Sequence, residues 1–427
     1  MNGMCTLEVY SSGRWTRAAE VHVADTTAGT ASPSRVEYDF DYLDAQSDGI
    51  GAIDLRAVSC RYAVAYCEVR LPTWPAFLLD LLPSGAARRW WERRLGLPNL
   101  PRSDWELLVR GAGNPPGNVR VAEAAAALEQ PAEHEGFQRE EVLARGADFI
   151  EYAHASGAYV AGGSGAGGDA PKLLLREDPR GRLHADGALA DERTAKCWLV
   201  KFPRSARAED RLVLEAEAPY HSVAAQLGAR IGEPPTWERD ALFVPRFDRI
   251  VAKKRVDVLG LESVYSLAGV ADWGAATPKE ALAAAVAEVA TDPARELEEL
   301  LVRDVVDVAL GNTDNHGRNT AVLKHANGRI ELSPVFDLAP MVLDPQGIAR
   351  VCRWKQEDAG FPDYAYVAES LEPLGLPATT SRKRLRALAK IAGDLPAIMR
   401  GEGVPEAVVT ALDRRLDRVA EGLQRIR

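Results

Sequence analysis

Leu310-Gly-Asn-Thr-Asp314-Asn-His316-Gly-Arg-Asn319-Thr320, followed by Val335-Phe-Asp337-Leu-Ala339, decides how this chain is read. It sets an acid, an amide five residues on, and a second acid eighteen residues beyond the amide. Phosphoryl transfer asks little covalent chemistry of a protein. It needs an acid to orient the attacking hydroxyl and take its proton, and hard oxygen ligands for the magnesium that carries the ATP phosphates. Asp314 suits the first task, and Asn319 with Asp337 the second. Thr320–Leu323 and Ile330–Leu332 read as two arms of a hairpin turning at Ala326-Asn-Gly-Arg329, which would return Asp337 to the side of Asn319. His316 reads as a support that structures the loop by hydrogen bonding. The alternative for the whole stretch is a polar turn, since Asn, Asp, His and Gly cluster in loops. The added downstream apolar-Asp after a hairpin favours chemistry.

Working backward, Lys201 stands in the apolar run Trp198-Leu-Val-Lys-Phe202. A lysine in such a strand costs free energy unless paired. A kinase-type lysine, reaching the α and β phosphates and paired with a helix glutamate, is such a case. Glu217, on the helix expected from about Arg211 to Ile231, is the preferred partner. Glu215 competes, but two positions apart on a helix do not share a face. Upstream, Gly162–Gly168 is the densest glycine run in the chain. With Lys172 it offers backbone N–H groups to phosphate, through Gly165, Gly167 and Gly168 among others. Ser164 in this run is a candidate for self-phosphorylation. Downstream, Phe243-Val-Pro-Arg-Phe-Asp-Arg249 falls where the chain would cross between lobes, so backbone groups of Val244 and Arg246 are candidates for contacting adenine. Arg246, Asp248 and Arg249 equally suit a structural ion cluster.

The bulk properties agree with a globular enzyme. The chain has 427 residues, 46% hydrophobic and 27% charged, enough for two domains or lobes. A net charge of -10 argues against a broad grip on nucleic acid by the chain itself. The five cysteines are scattered, with no CxxC pair, so neither a disulfide framework nor a zinc site is indicated. No signal peptide or apolar run long enough to span a membrane is read, which makes the cytoplasm the expected location. Thr6–Tyr10 and Val36–Tyr42 alternate as strands, Trp74–Leu82 and Ala86–Leu95 read as helical, and 120–160 as a polar connector. Beyond about residue 275 the chain reads as helix apart from the hairpin, closing in an amphipathic helical pair from Ser381 to Arg427. The expected fold class is therefore α+β, two-lobed, with a β-rich lobe, an extra N-terminal subdomain and a helical second lobe, the nucleotide lying in the cleft. The expected divisions are 1–120, 121–245 and 246–427.

The order of these pieces resembles the HipA family of toxin serine/threonine kinases. The resemblance is carried by Pro171-Lys172, Leu-Val-Lys201-Phe-Pro, Glu217, Arg246-Phe-Asp-Arg249, Thr313-Asp-x-His-x-x-Asn319 and Phe336-Asp-Leu338, and by Leu78-Leu-Asp-Leu-Leu-Pro-Ser-Gly85 near the N-terminus. It spans roughly residues 35–400. It implies a protein kinase-like fold that uses ATP and Mg2+, with Asp314 as base, Asn319 and Asp337 as metal ligands and Lys201 on the phosphates. It also implies a bacterial protein substrate, such as an aminoacyl-tRNA synthetase, and restraint by a small helix-turn-helix antitoxin, HipB, so that DNA is met only through that partner. The chain departs from the family in three places: Gly165-Ala-Gly-Gly-Asp-Ala-Pro-Lys172 replaces a shorter loop, Gly317-Arg318 stands where Ala-Lys or Phe-Lys is common, and Asn114-Pro-Pro-Gly-Asn118 replaces a Gly-Arg-Asp segment. Two other readings compete. A small-molecule kinase is opposed by the N-terminal β subdomain and by the absence of a large acidic insertion for a cationic substrate. A catalytically silent corepressor is opposed by the intact Asp314, Asn319, Asp337 and Lys201.

Overall fold

The computed structural model of the chain describes residues 1–128, 134–145, 147–155, 158 and 170–426. They divide into two compact units. The first comprises Met1–Phe202, Phe243–Trp273 and Val322–Ile330; the second comprises Pro203–Leu242, Gly274–Ala321 and Glu331–Arg427. No helix among the described residues is long and apolar enough to cross a membrane.

The first unit begins with a sheet of β1 (Gly3–Ser11), β2 (Arg14–Val23), β3 (Ser34–Tyr38), β4 (Val69–Leu71) and β5 (Val119–Val121), in the order β4-β3-β2-β1-β5. Every other residue points inward, so Leu7, Val9, Val21 and Val36 meet Trp74, Phe77, Leu78, Leu82 and Leu107 in a closed apolar core. Burying each such side chain stabilises the fold by about 1.5–3 kcal/mol. A second sheet places β6 (Lys172–Glu177) between β7 (Leu183–Ala185) and β8 (Lys196–Lys201), with strand Ala241–Pro245 beyond β8.

Several expectations are corrected. The alternation of Val36–Tyr42 breaks at Asp39, whose carboxylate accepts from the N–H groups of Asp41 and Tyr42 and caps a helix over Phe40–Ala45. Only Leu78–Leu81 of the Trp74–Leu82 stretch is helical. The supposed connector carries short helices at Ala122–Ala126, Arg139–Ala144 and Ala147–Ala155, with Val142 and Phe149 buried. Elements this short leave little periodic signal. Strands that the sequence reading did not mark occupy Arg249–Ala252, Arg255–Val258 and Gly260–Ser263. The C-terminal pair is three helices, Ala378–Ala392, Leu395–Gly401 and Glu406–Gln424.

The second unit is built around the helix Pro293–Ala309, capped by the Asp292 carboxylate on the Arg295 N–H and started by a proline. It is buried on nearly all sides although it carries Glu296, Glu299, Arg303 and Asp304. Those charges are retained because each one fastens a loop, as the site makes plain.

Candidate active site

The helix Pro293–Ala309 ends at Leu310, whose carbonyl accepts a 3.0 Å hydrogen bond from the Tyr220 hydroxyl. Gly311 follows with φ of 68°, and a Cβ there would lie 2.7 Å from the Val342 Cγ1. The turn needs a glycine, and it starts the loop that carries the acid. Asn312 fastens that loop back onto the helix: its N–H donates to the Asp307 carbonyl at 2.9 Å and its Nδ2 to the Asp307 carboxylate at 2.8 Å.

Within the loop the side chains are organised around Asp314. The Arg318 N–H donates to Nδ1 of the buried His316 at 3.2 Å, which assigns the ring proton to Nε2. Nε2 lies 3.3 Å from the Asp314 Oδ1 and so holds that carboxylate in one orientation. Asn319 closes the loop, with its N–H on the His316 carbonyl at 3.0 Å and its Nδ2 on the Asp314 carbonyl at 2.9 Å. This leaves the Asn319 Oδ1, a buried acceptor with no hydrogen-bond partner among the described residues. A buried acceptor left without a donor is costly, and a hard cation would satisfy it.

Asp337 is reached through the expected hairpin, Ala321–Lys324 with Ile330–Leu332, closed where the Ser333 N–H meets the Ala321 carbonyl at 2.8 Å. The base of the hairpin thus joins a point two residues after Asn319 to one four residues before Asp337. Charges of the buried helix hold this strand. Glu296 accepts from the Leu332 N–H at 2.8 Å and from both terminal nitrogens of Arg230 at 2.9 Å. Arg303 reaches the Ser333 carbonyl, and the Val335 N–H meets the Arg230 carbonyl at 2.8 Å. Asp337 itself sits in the left-handed region, φ 51°, a conformation Asp tolerates better than most residues.

Beyond Asp337 the chain returns to the same helix. Burial alone would raise the Asp304 carboxyl, but Lys279 and Arg350 beside it, at 3.2 and 3.1 Å, outweigh this and hold it below the usual range. The Trp354 Nε1 adds a bond at 2.9 Å. Asn315 joins this segment to the acid-bearing loop, its Nδ2 donating to the Cys352 carbonyl at 2.6 Å and its Oδ1 accepting from the Val351 N–H at 3.2 Å. The sequence singled out neither Asn315 nor Arg350. Asn315 lay inside the decisive stretch, yet its type gave no sign of a partner beyond residue 350.

The other candidates fall in both units. In the first, Lys201 ends β8 only 3% exposed, and lies directly opposite Lys172 in the antiparallel register of β6 and β8. Directly opposed residues share a face, and two like charges there repel unless an anion or acid sits with them. Val244 is buried in strand Ala241–Pro245. The Arg246 N–H already donates to the Cys197 carbonyl at 3.0 Å, so it is not a donor for adenine, and only its carbonyl remains for that role. Its side chain lies in a buried ion cluster with Asp248, Asp186 and Arg249, the structural alternative for this segment. In the second unit, Glu217 is 3% exposed on the helix Ala208–Gln226, whereas Glu215 is only partly buried, as expected for two positions that do not share a face. Gly165, Gly167, Gly168 and Ser164 lie outside the described residues.

Comparison with known proteins places this arrangement. The HipA N-terminal domain matches residues 19–122, and the HipA-like C-terminal domain matches residues 164–395, which contain Asp314, Asn319, Asp337, Lys201 and Glu217. No curated protein matches the chain. Among solved structures, the HipA of the Shewanella oneidensis MR-1 toxin–antitoxin system, determined with HipB and operator DNA, aligns over 98% of this chain and 97% of its own, with a TM-score of 0.64 at 19% identity. That likeness concerns the fold. The Helicobacter pylori proinflammatory kinase CtkA aligns over 62% of this chain and 95% of its own, with a TM-score of 0.35 at 14% identity. With more than half its length matched by the HipA-like C-terminal domain and the N-terminal domain in place before it, the chain belongs to the HipA family of toxin-type serine/threonine protein kinases.

Proposed function

We propose that the chain transfers the γ-phosphoryl group of ATP, with magnesium, to a serine or threonine of a bacterial protein, and that it does so as the toxin of a toxin–antitoxin pair. The observation that carries this reading is the loop Asp314–Asn319. Its base candidate is oriented by a histidine of defined tautomer, and its amide presents a buried oxygen with no donor among the described residues. Asp314 takes the proton of the acceptor hydroxyl as that oxygen bonds to the γ-phosphorus and the bond to the departing ADP breaks. His316, donating from Nε2, keeps the carboxylate aimed while the proton moves. Asn319 through Oδ1 and Asp337 through its carboxylate would hold magnesium, an oxygen-only donor set that suits this ion. When bound, magnesium neutralises charge on the phosphates. Lys201 and Lys172, opposed on neighbouring strands, supply positive charge for the phosphates, and Glu217 is the proposed partner of Lys201. Val244 and the Arg246 carbonyl are the proposed adenine contacts.

In this reading the N-terminal subdomain, the strands bearing the lysines and the helical part bearing the acids divide the work, as the three divisions of the sequence suggest. The resemblance to the family supports a translation protein such as an aminoacyl-tRNA synthetase as target, a HipB-like antitoxin as partner, DNA contact through that antitoxin alone, and a cytoplasmic site of action. Growth tests the toxin role. Expression of the wild type should slow a bacterial culture and expression of Asp314→Ala should not; equal toxicity from both would overturn it.

A further inference from the structure

The Asn114-Pro-Pro-Gly-Asn118 loop departs from the family pattern and has no part in the chemistry above. Its surroundings assign it one. Asp248 lies buried, 3% exposed, and Arg246 grips it with two parallel bonds, Nε to Oδ1 at 2.9 Å and Nη2 to Oδ2 at 2.7 Å. The same Oδ2 accepts from the Gly117 N–H at 2.8 Å and from Arg249 at 2.7 Å, and Arg249 in turn donates to the Gly117 carbonyl at 3.2 Å. Both backbone groups of Gly117 are therefore bonded into the cluster. Arg246 continues to Asp186 at 2.7 Å, and Asp186 to Arg176 at 2.8 Å. Burial alone would raise the Asp248 carboxyl, but the two arginines outweigh it and hold it at about 2. The cluster stays ionised and each charge has its partner.

Gly117 fits this place for two reasons. Its φ is 82°, and a Cβ would stand 3.0 Å from the Leu261 backbone nitrogen and 3.1 Å from the Leu261 Cβ. The N-terminal subdomain is meanwhile tied to the strands Gly260–Ser263 and Ala321–Lys324 by independent bonds. Glu262 accepts from the Ser59 hydroxyl at 2.6 Å and the Cys60 N–H at 2.7 Å, and the Lys324 Nζ donates to the Ala57 carbonyl at 2.7 Å. Removing the Asp248 carboxylate would leave those ties in place, so its effect would be local to Gly117, Arg246 and Arg249.

We propose that Gly117 and Asp248 are positioning residues for the purine end of the nucleotide: the loop 114–118 of the N-terminal subdomain is clamped through Asp248 and Arg246 onto the segment Val244–Arg246 and holds its backbone where adenine is read. This rests on the adenine-contacting role proposed above for that segment. It makes the N-terminal subdomain a determinant of nucleotide affinity and base choice, through a residue outside every kinase-type motif.

The test compares the full-length wild type with Gly117→Ala, Asp248→Asn and a control, Val21→Ala, which trims the N-terminal core away from the clamp. Affinities for AMP-PNP and GMP-PNP with magnesium are measured by calorimetry, alongside melting temperatures. Both clamp variants should bind AMP-PNP about tenfold or more weakly and should lose preference for adenine over guanine, whereas Val21→Ala should lower the melting temperature with affinity and preference unchanged. Clamp variants that keep AMP-PNP affinity within about twofold of the wild type, or keep its base preference, would overturn the clamp and leave the kinase reading standing. A wild type that binds neither nucleotide would overturn the kinase reading and the clamp with it.

Discussion

At the scale of single residues, the proposed phosphoryl transfer turns on Asp314 and the groups that aim it. If His316 acts by donating from Nε2 to Asp314, then His316→Ala should lower kcat about tenfold to a hundredfold while the affinity for AMP-PNP is unchanged, because the histidine touches the base and not the nucleotide. Comparing single-turnover rates with calorimetric affinity separates the two. Asn319 and Asp337 predict a different signature. ATP with magnesium should raise the melting temperature of the wild type, since a ligand that binds only the native state stabilises it. Asp337→Ala should abolish the magnesium-dependent part of that shift, and a shift of unchanged size would remove Asp337 from the metal site. Residues of these types stood out in the sequence because the proposed chemistry restricts them: an acid, an amide and an acid at set spacing have few other uses. The orientation of Asp314 was less legible. A histidine two positions on signals support only in general, and the tautomer follows from the Arg318 N–H on Nδ1, which no spacing reveals. Of the Arg246 backbone groups put forward for adenine, the N–H is engaged for a related reason: strand pairing with Cys197 takes it up, and pairing partners distant in sequence leave no local mark.

At the scale of elements, the helix Pro293–Ala309 is the common support of the loop Asp314–Asn319 and of the strand leading to Asp337. Its buried charges reach Leu332 and Ser333 on the way to Asp337, Asn312 on the way to Asp314, and Arg350 beyond. Arg350→Met would leave the fully buried Asp304 with only part of its compensating charge. The chain should lose about 3 kcal/mol in urea unfolding, toward the low end for breaking a buried pair because Lys279 remains. Gly311→Ala should cost about 1–3 kcal/mol in the same measurement, as φ of 68° and the close Val342 and Leu412 side chains both oppose a Cβ. The helix Ala208–Gln226, the strands around Lys201 and the hairpin before Asp337 could be read from apolar patterning. The short helices between 122 and 155 and the strands between 249 and 263 could not, because four to nine residues seldom carry enough period to stand out. The ion pairs of the central helix were equally hidden. Glu, Arg and Asp on a helix ordinarily signal a solvated face, and here tertiary partners override that pattern.

At the scale of the whole molecule, buried carboxylates held ionised by arginine and lysine give the fold a defined response to acid. Asp248 is held at about 2, and Asp186 and Asp304 also lie below the usual carboxylate range. A carboxyl whose folded value is depressed contributes stability above its unfolded value, about 4, and loses it as pH falls through the folded one. Unfolding free energy should therefore stay nearly level from about pH 7 to 5, then fall steadily below about pH 4. Stability that rises on acidification over that range would contradict the pairing described for these groups. The family, the two kinds of fold element and the order of the motifs were all visible in the sequence, whereas the attachment of the Asn114–Asn118 loop to Asp248 was not, since it joins segments more than a hundred residues apart. The central claim is that the loop Asp314–Asn319 and Asp337 transfer phosphate to protein. It is tested most directly by incubating the purified chain with γ-labelled ATP, magnesium and bacterial extract, then locating the label. The wild type should place label on serine or threonine of a protein, and Asp314→Ala should place none while still binding AMP-PNP. Equal labelling by both, or none by the wild type, would contradict the account.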